Sequence, residues 1–221
     1  MSGANASPTR SASAIARSLK EGRSHQIMRI VVGITGATGS VFGIRTLQLL
    51  KDAGVETHLV LSKWGTRTLL HETPHTVDYV KSLATCAYSE SDQGAPISSG
   101  SFLTEGMIIA PCSVRTLSAI ANGYGDNLVH RAADVILKER RKLVLMVRET
   151  PLSDIHLENM LKLSRMGVVV MPPMPAFYTN PQSLDDVINH TVMRALDQFG
   201  LHLDTAGRGG EEPAAKNSES T

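Results

Sequence analysis

The sequence predicts an α/β domain, a central parallel sheet with helices on both faces, and three observations carry that prediction. Short β-branched apolar runs recur along the chain, longer segments of helical period separate them, and a glycine-rich turn follows the first run. The apolar runs place strands at Arg29–Ile34, Thr57–Leu61, Met107–Ala110, Leu143–Val147 and Val168–Met171. Runs that are apolar throughout, rather than alternating, suit strands buried on both sides. Helices are expected over Ser40–Ala53, Lys63–Glu72, Thr76–Leu83, Val114–Asn122, Leu128–Arg140, Ser153–Met166 and Ser183–Phe199, with Ser153 and Ser183 as N-caps. The stretch Tyr88–Ser101, rich in Ser, Gly, Asp and Pro, reads as the longest loop.

Composition bounds what such a domain does. With 221 residues, 42% hydrophobic and 19% charged, the chain can bury one large core. Net charge is +1 with the basic residues interspersed among acids, which argues against nucleic acid as a partner. Cys86 and Cys112 are too few for a disulfide framework or a thiolate zinc site. No apolar run approaches the ~20 residues of a membrane-crossing helix. Residues 1–28 form an arm whose Ser, Ala and Arg bias, with Glu21 as its one acid, has the character of a mitochondrial transit peptide; a plain disordered tail on a cytoplasmic protein is the alternative. The domain is expected over 29–203. Residues 204–221, lacking aliphatic side chains after Ala206 other than alanines, read as a disordered tail.

In an open parallel sheet, ligands bind beyond the carboxyl ends of the strands, and there the unusual residues collect. After the first strand comes GITGATG, a tight strand-to-helix turn with hydroxyls at Thr35 and Thr38. The second strand ends at Ser62; the third opens into Pro111, Cys112, Ser113, Val114, Arg115 and Thr116; the fourth ends at Arg148 and Glu149; the fifth leads into MPPMPAFY with Phe177 and Tyr178. A helix N-terminus with hydroxyls and a guanidinium is an anion site.

Two literal matches mislead. TGATG suits nucleotide-binding reductases, but no tyrosine here is followed four residues later by lysine, and the second strand ends in Ser62 rather than an acid for a ribose. His71, Glu72 and His75 match HExxH, yet Pro74 breaks the helix that motif requires.

The strings GITGATG, LVLSKW, SSGSF, APCSVRTLSAI, RAADVILKERR, LVLMVRETPL, MPPMPAFY and SLDDVINHTVMRALDQF, in that order from Arg29 to about Leu203, resemble the UbiX/Pad flavin prenyltransferases. The resemblance implies a flavodoxin-like, Rossmann-like three-layer domain in a homododecamer. It implies transfer of a dimethylallyl group from dimethylallyl monophosphate to reduced FMN, without metal. The product, prenylated FMN, would serve a UbiD/Fdc-type ferulic or cinnamic acid decarboxylase. FMN would be held by Gly36, Ala37, Thr38, Ser62, Ser113, Val114, Arg115, Thr116 and Arg148. The allylic phosphate would meet Arg131, Lys138, Tyr178 and Arg194, some of them from a neighbouring subunit, and Thr38, Glu72, Lys138 and Glu149 would be catalytic. The family commonly has Ser where this chain has Thr38. Trp64, Phe102 and Phe177 are candidates to shield an allyl cation. Two alternatives are an FMN-binding regulatory protein without turnover and a cysteine-derivative decarboxylase, which needs a histidine soon after the first turn where this chain has none.

Overall fold

The computed structural model describes residues 27–203. The expected arm at 1–28, apart from its last two residues, and the expected tail at 204–221 lie outside them. Six strands form one parallel sheet: β1 (Arg29–Ile34), β2 (Glu56–Leu61), β3 (Cys86–Ser89), β4 (Gly106–Cys112), β5 (Lys142–Val147) and β6 (Val169–Val170), in the spatial order β3-β2-β1-β4-β5-β6. This is the 3-2-1-4-5-6 order of nucleotide-binding sheets; without the short edge strand β3 it reduces to the 2-1-3-4-5 order of flavodoxin. The chain reverses its direction of winding between β1 and β4, which lie side by side with Ile30 opposite Gly106 and Gly33 opposite Ile109.

Alternation along the strands divides the core. From β1, Ile30, Val32 and Ile34 face one layer and Val31 the other; from β5, Val144 and Met146 face the first and Leu143, Leu145 and Val147 the second. The first layer consists of α1 (Ser40–Asp52), α2 (Lys63–Glu72), α3 (Val77–Leu83) and α7 (Leu184–Asp197), the second of α4 (Val114–Ala121), α5 (Leu128–Lys138) and α6 (Asp154–Arg165). Each fully buried Ile or Leu in these layers contributes about 1.5–3 kcal/mol by leaving water. Ser62, Thr76, Ser113, Asn127, Ser153 and Ser183 each cap the helix that follows, accepting a backbone N–H from its first turn.

The structure differs from the sequence expectation at both sheet edges. Cys86–Ser89 pairs in parallel with His58–Leu61, so the expected loop at Tyr88–Ser101 begins two residues into a strand and contains a short 3₁₀ turn at Pro96–Ser98. β3 is only half-buried and carries Ser and Tyr, so it lacks the apolar run that marks the inner strands. At the other edge only Val169 and Val170 of the expected Val168–Met171 form strand. α2 ends at Glu72, Thr73 is extended at φ −131°, and His75 lies beyond the helix. HExxH therefore does not place two histidines on one helical face.

Candidate functional site

The ends of β1 and β4 are stitched together by one side chain. Thr35, just past β1, donates its hydroxyl to the carbonyl of Pro111 at 2.7 Å, and its Oγ1 accepts the N–H of Ser113 at 2.9 Å. Pro111 has no N–H to offer a neighbouring strand, and the β4–β5 register shifts between Ile109 and Cys112. The irregular end of β4 thus presents its carbonyl to Thr35, and the two strand-to-helix turns are held as one unit. Cys112 is buried within that unit, and burial pushes its thiol pKa up, so it is inert as a nucleophile.

Beyond this seam lies a cleft of about 480 Å³. Four strand ends and the start of α5 build it: Thr35 and Gly36 after β1, Ser62, Lys63 and Trp64 after β2, Glu90 and Ser91 after β3, Ser113, Arg115 and Thr116 after β4, then Asp126, Asn127 and His130. Ser62 and Thr116 are buried hydroxyls on its floor. The indole of Trp64 is exposed, and the Arg67 guanidinium lies 4.9 Å from its ring centre. Gly36 sits tightly under Trp64, because a Cβ there would fall 2.5 Å from the Trp64 Cβ. This arrangement suits a ligand with an anionic group at the helix starts and a flat body against an aromatic wall.

Glu72 reaches the same turn from the far end of α2. The helix α1 is preceded by Gly39, which takes φ +97° and has no side chain to cap with. The Glu72 carboxylate supplies the cap, accepting the N–H of Gly39 at 2.8 Å and of Ser40 at 3.1 Å. Burial pushes the Glu72 pKa up, but hydrogen bonds from the Thr38 hydroxyl and these two N–H groups outweigh it and hold the carboxyl below the usual range. Thr38 and Glu72 are therefore brought together, as an ionised carboxylate and its hydroxyl donor.

Of the residues expected to hold FMN, Gly36, Ser62, Ser113, Arg115 and Thr116 line the cleft. Ala37 and Thr38 continue the turn from Gly36, and Val114 opens α4 between two lining residues. Arg148 follows β5 directly, with its backbone N–H donated to the Cys112 carbonyl and its side chain exposed. Glu149, next to it, accepts the Thr150 N–H at 3.1 Å.

The residues expected at the allylic phosphate do not line this cleft. Arg131 points from α5 to the Ser98 carbonyl and pairs with Asp134 at 2.9 Å. Lys138 pairs with Glu139, eight residues beyond His130 and so about 12 Å further along α5 at ~1.5 Å per residue. Tyr178 sits on a 3₁₀ turn (Phe177–Thr179) against His190 of α7, and Arg194, in the last turn of α7, pairs with Asp197 at 2.8 Å. None of these four residues is thus among those that line the cleft.

Several cleft residues escaped the sequence reading. Glu90 and Ser91 follow the edge strand that composition concealed. Asp126 and Asn127 precede α5, where Asn127 is a recognisable cap. His130 lies with Nδ1 2.6 Å from Asp126 Oδ1, and Asp126 Oδ2 is 3.4 Å from Arg115. Burial pushes the His130 pKa down more than Asp126 raises it, so the imidazole is neutral at pH 7.

Known proteins share both sequence and fold. The Flavoprotein family model matches residues 18–196. The mitochondrial flavin prenyltransferase PAD1 of Saccharomyces cerevisiae is 58% identical over 81% of this chain and 74% of its own length. Among solved structures, a dodecameric FMN-dependent UbiX-like decarboxylase from Escherichia coli O157:H7 is 57% identical with a TM-score of 0.80, covering 82% of this chain and 98% of that one. AnUbiX (PadA1), in complex with FMN and dimethylallyl pyrophosphate, is 51% identical with a TM-score of 0.79 over 80% of this chain and 94% of that one. With this identity sustained over nearly the whole described fold, and a cleft at the β1/β4 reversal, the chain belongs to the flavoprotein family and within it to the UbiX-like flavin prenyltransferases.

Proposed function

We propose that this flavin prenyltransferase moves a dimethylallyl group from dimethylallyl monophosphate to reduced FMN, and that its product serves a separate UbiD/Fdc-type decarboxylase. The observation that carries the reading is the cleft at the β1/β4 reversal, where hydroxyls and helix starts converge beside an aromatic wall. Its residues fit FMN. A phosphate can take hydrogen bonds at the Ser113 and Thr116 end, Arg115 supplies countercharge, and the exposed Trp64 indole offers a planar ring a flat surface. Bound in its reduced form, FMN supplies the nucleophile for the allyl group.

The chain's own groups handle charge and protons. Lys138, Tyr178, Arg194 and Arg131 would bind the allylic phosphate and follow its growing negative charge as the C–O bond breaks. Glu72, ionised at neutral pH and backed by Thr38, would accept a proton. Glu149, beside the exposed Arg148, would pass a proton to the leaving phosphate. Because the phosphate cations lie away from the cleft of their own chain, the complete site would form between subunits of a homo-oligomer, and the dodecameric relative supports that assembly. Mitochondrial localisation rests on the Arg- and Ser-rich arm and on the yeast relative's designation.

The test is anaerobic incubation of the protein with reduced FMN and dimethylallyl monophosphate, without added metal, followed by mass spectrometry. A flavin heavier by one five-carbon unit is the expected result. Bound but unmodified FMN would refute prenyl transfer.

A further inference from the structure

We infer that His190 is a positioning residue that aims the Tyr178 hydroxyl at the allylic phosphate, an inference that rests on the proposed prenyl-transfer reading. His190 Nε2 and Tyr178 Oη are 3.4 Å apart, and the two rings meet edge to face with centroids 5.8 Å apart at 87°. Tyr178 is 69% exposed and His190 only 9%, so the imidazole is the fixed partner beneath a solvent-facing phenol. His190 and Arg194 are separated by four residues on α7, which puts them on one helical face. The same face thus presents the phenol, its imidazole support and a guanidinium.

The direction of the hydrogen bond decides the function. A phenol has one proton. If it donates to His190, its oxygen lone pairs face outward and repel a phosphate. If His190 carries its proton on Nε2 and donates, the phenol oxygen is satisfied as an acceptor and its own proton is free for a phosphate oxygen. Neutral imidazole offers both tautomers, and a bound phosphate selects the donating one. Burial pushes the His190 pKa down, Arg194 adds to this, and Asp197 opposes it, so the ring is held in the neutral form that can switch. Arg194 and Asp197 on α7 and Tyr178 from the 3₁₀ turn are the groups that face it.

The experiment is a double-mutant cycle on the full-length, FMN-loaded protein with His190→Phe, Tyr178→Phe and the pair. Phenylalanine keeps an aromatic ring for the edge-to-face packing and removes both ring nitrogens. Two readouts are used: the KM and kcat for dimethylallyl monophosphate, and its Kd by calorimetry without turnover. His190→Phe should raise KM and Kd about tenfold, the worth of one hydrogen bond, while FMN affinity and Tm stay at wild-type values. In the Tyr178→Phe background it should add nothing, and His190→Gln, which retains an N–H, should recover part of the loss. Independent multiplication of the two single effects, a wild-type Kd in His190→Phe, or a parallel fall in Tm and FMN affinity would each overturn the inference. If the wild type forms no prenyl adduct, the proposed reaction fails by itself, and the cycle in Kd still decides whether the two side chains act as a unit.

Discussion

Gly36→Ala is the smallest change that tests how the cleft is built. The new Cβ would lie 2.5 Å from the Trp64 Cβ and 3.4 and 3.5 Å from the Trp64 carbonyl carbon and Cα. Ordinary carbon contacts are about 3.5–4.0 Å, so something must yield by about 1 Å. Trp64 Cβ cannot swing away, because it is fixed to the first turn of α2. That turn cannot retreat towards the sheet either, since a Cβ on Gly65 would already be 2.5 Å from the Ile34 carbonyl oxygen. The Gly36–Gly39 loop is what moves. Overpacking of this kind costs about 1–3 kcal/mol, which for a chain this size lowers Tm by roughly 2–12 °C. A shift of about 1 Å in a positioning loop can cost on the order of 100-fold, so FMN affinity should fall at least about tenfold. Thermal unfolding at fixed protein concentration and quenching of flavin fluorescence measure both. Trp64→Gly removes the obstructing Cβ, and the double variant should be less destabilised than the two singles added together. A Gly36→Ala protein with wild-type Tm and wild-type FMN affinity would refute the steric argument.

Glu72→Gln keeps the shape of the α1 cap but loses its charge; with the residue as a whole exposed, stability should fall by about 1 kcal/mol or less in urea denaturation, while prenyl transfer falls far more. His130→Gln should flatten the acid limb of the stability curve. Burial lowers the His130 pKa below its usual 6.5, so the unfolded chain binds the proton more readily, and wild-type stability is full above pH 6.5 and lost as pH falls through the lower folded value. The Glu72 contribution, also a lowered pKa, is lost only further down, below pH 4.5, so denaturation followed by pH separates the two. Lys138→Ala and Glu72→Gln should each be nearly inactive alone, yet mixed oligomers refolded or co-expressed together should regain a fraction of activity. Absence of any recovery would place Lys138 and Glu72 in the same subunit's site.

What the sequence made legible follows from which physical signals are local. Inner strands such as Arg29–Ile34 and Leu143–Val147 announce themselves because burial on both faces demands a continuous apolar run. Helix starts at Ser153 and Ser183 do so because a capping side chain is a one-residue signal. Edge strand Cys86–Ser89 has no such demand placed on it, since half its residues face solvent, and with it Glu90 and Ser91 were hidden from view. The topological rule about strand ends was enough to gather Gly36, Ser62, Ser113 and Arg115 without knowing any contact between them.

Long-range partnerships obey different logic. Glu72 was legible as a carboxylate of interest, but its role as the cap of a helix that begins 32 residues earlier depends on the packing of α2 against α1. Thr35 was legible as a hydroxyl in a glycine-rich turn, but its grip on Pro111 across 76 residues depends on β1 and β4 being neighbours. Tyr178 and Arg194 show both kinds of information at once. The four-residue spacing from His190 to Arg194 is written in the sequence and fixes one helical face. What brings Tyr178 onto that face is the loop after β6, whose prolines Pro172, Pro173 and Pro175 restrict the backbone and carry the phenol to the imidazole. The contact of Tyr178 with His190 is therefore made within one chain, by the loop after β6 and the face of α7 together.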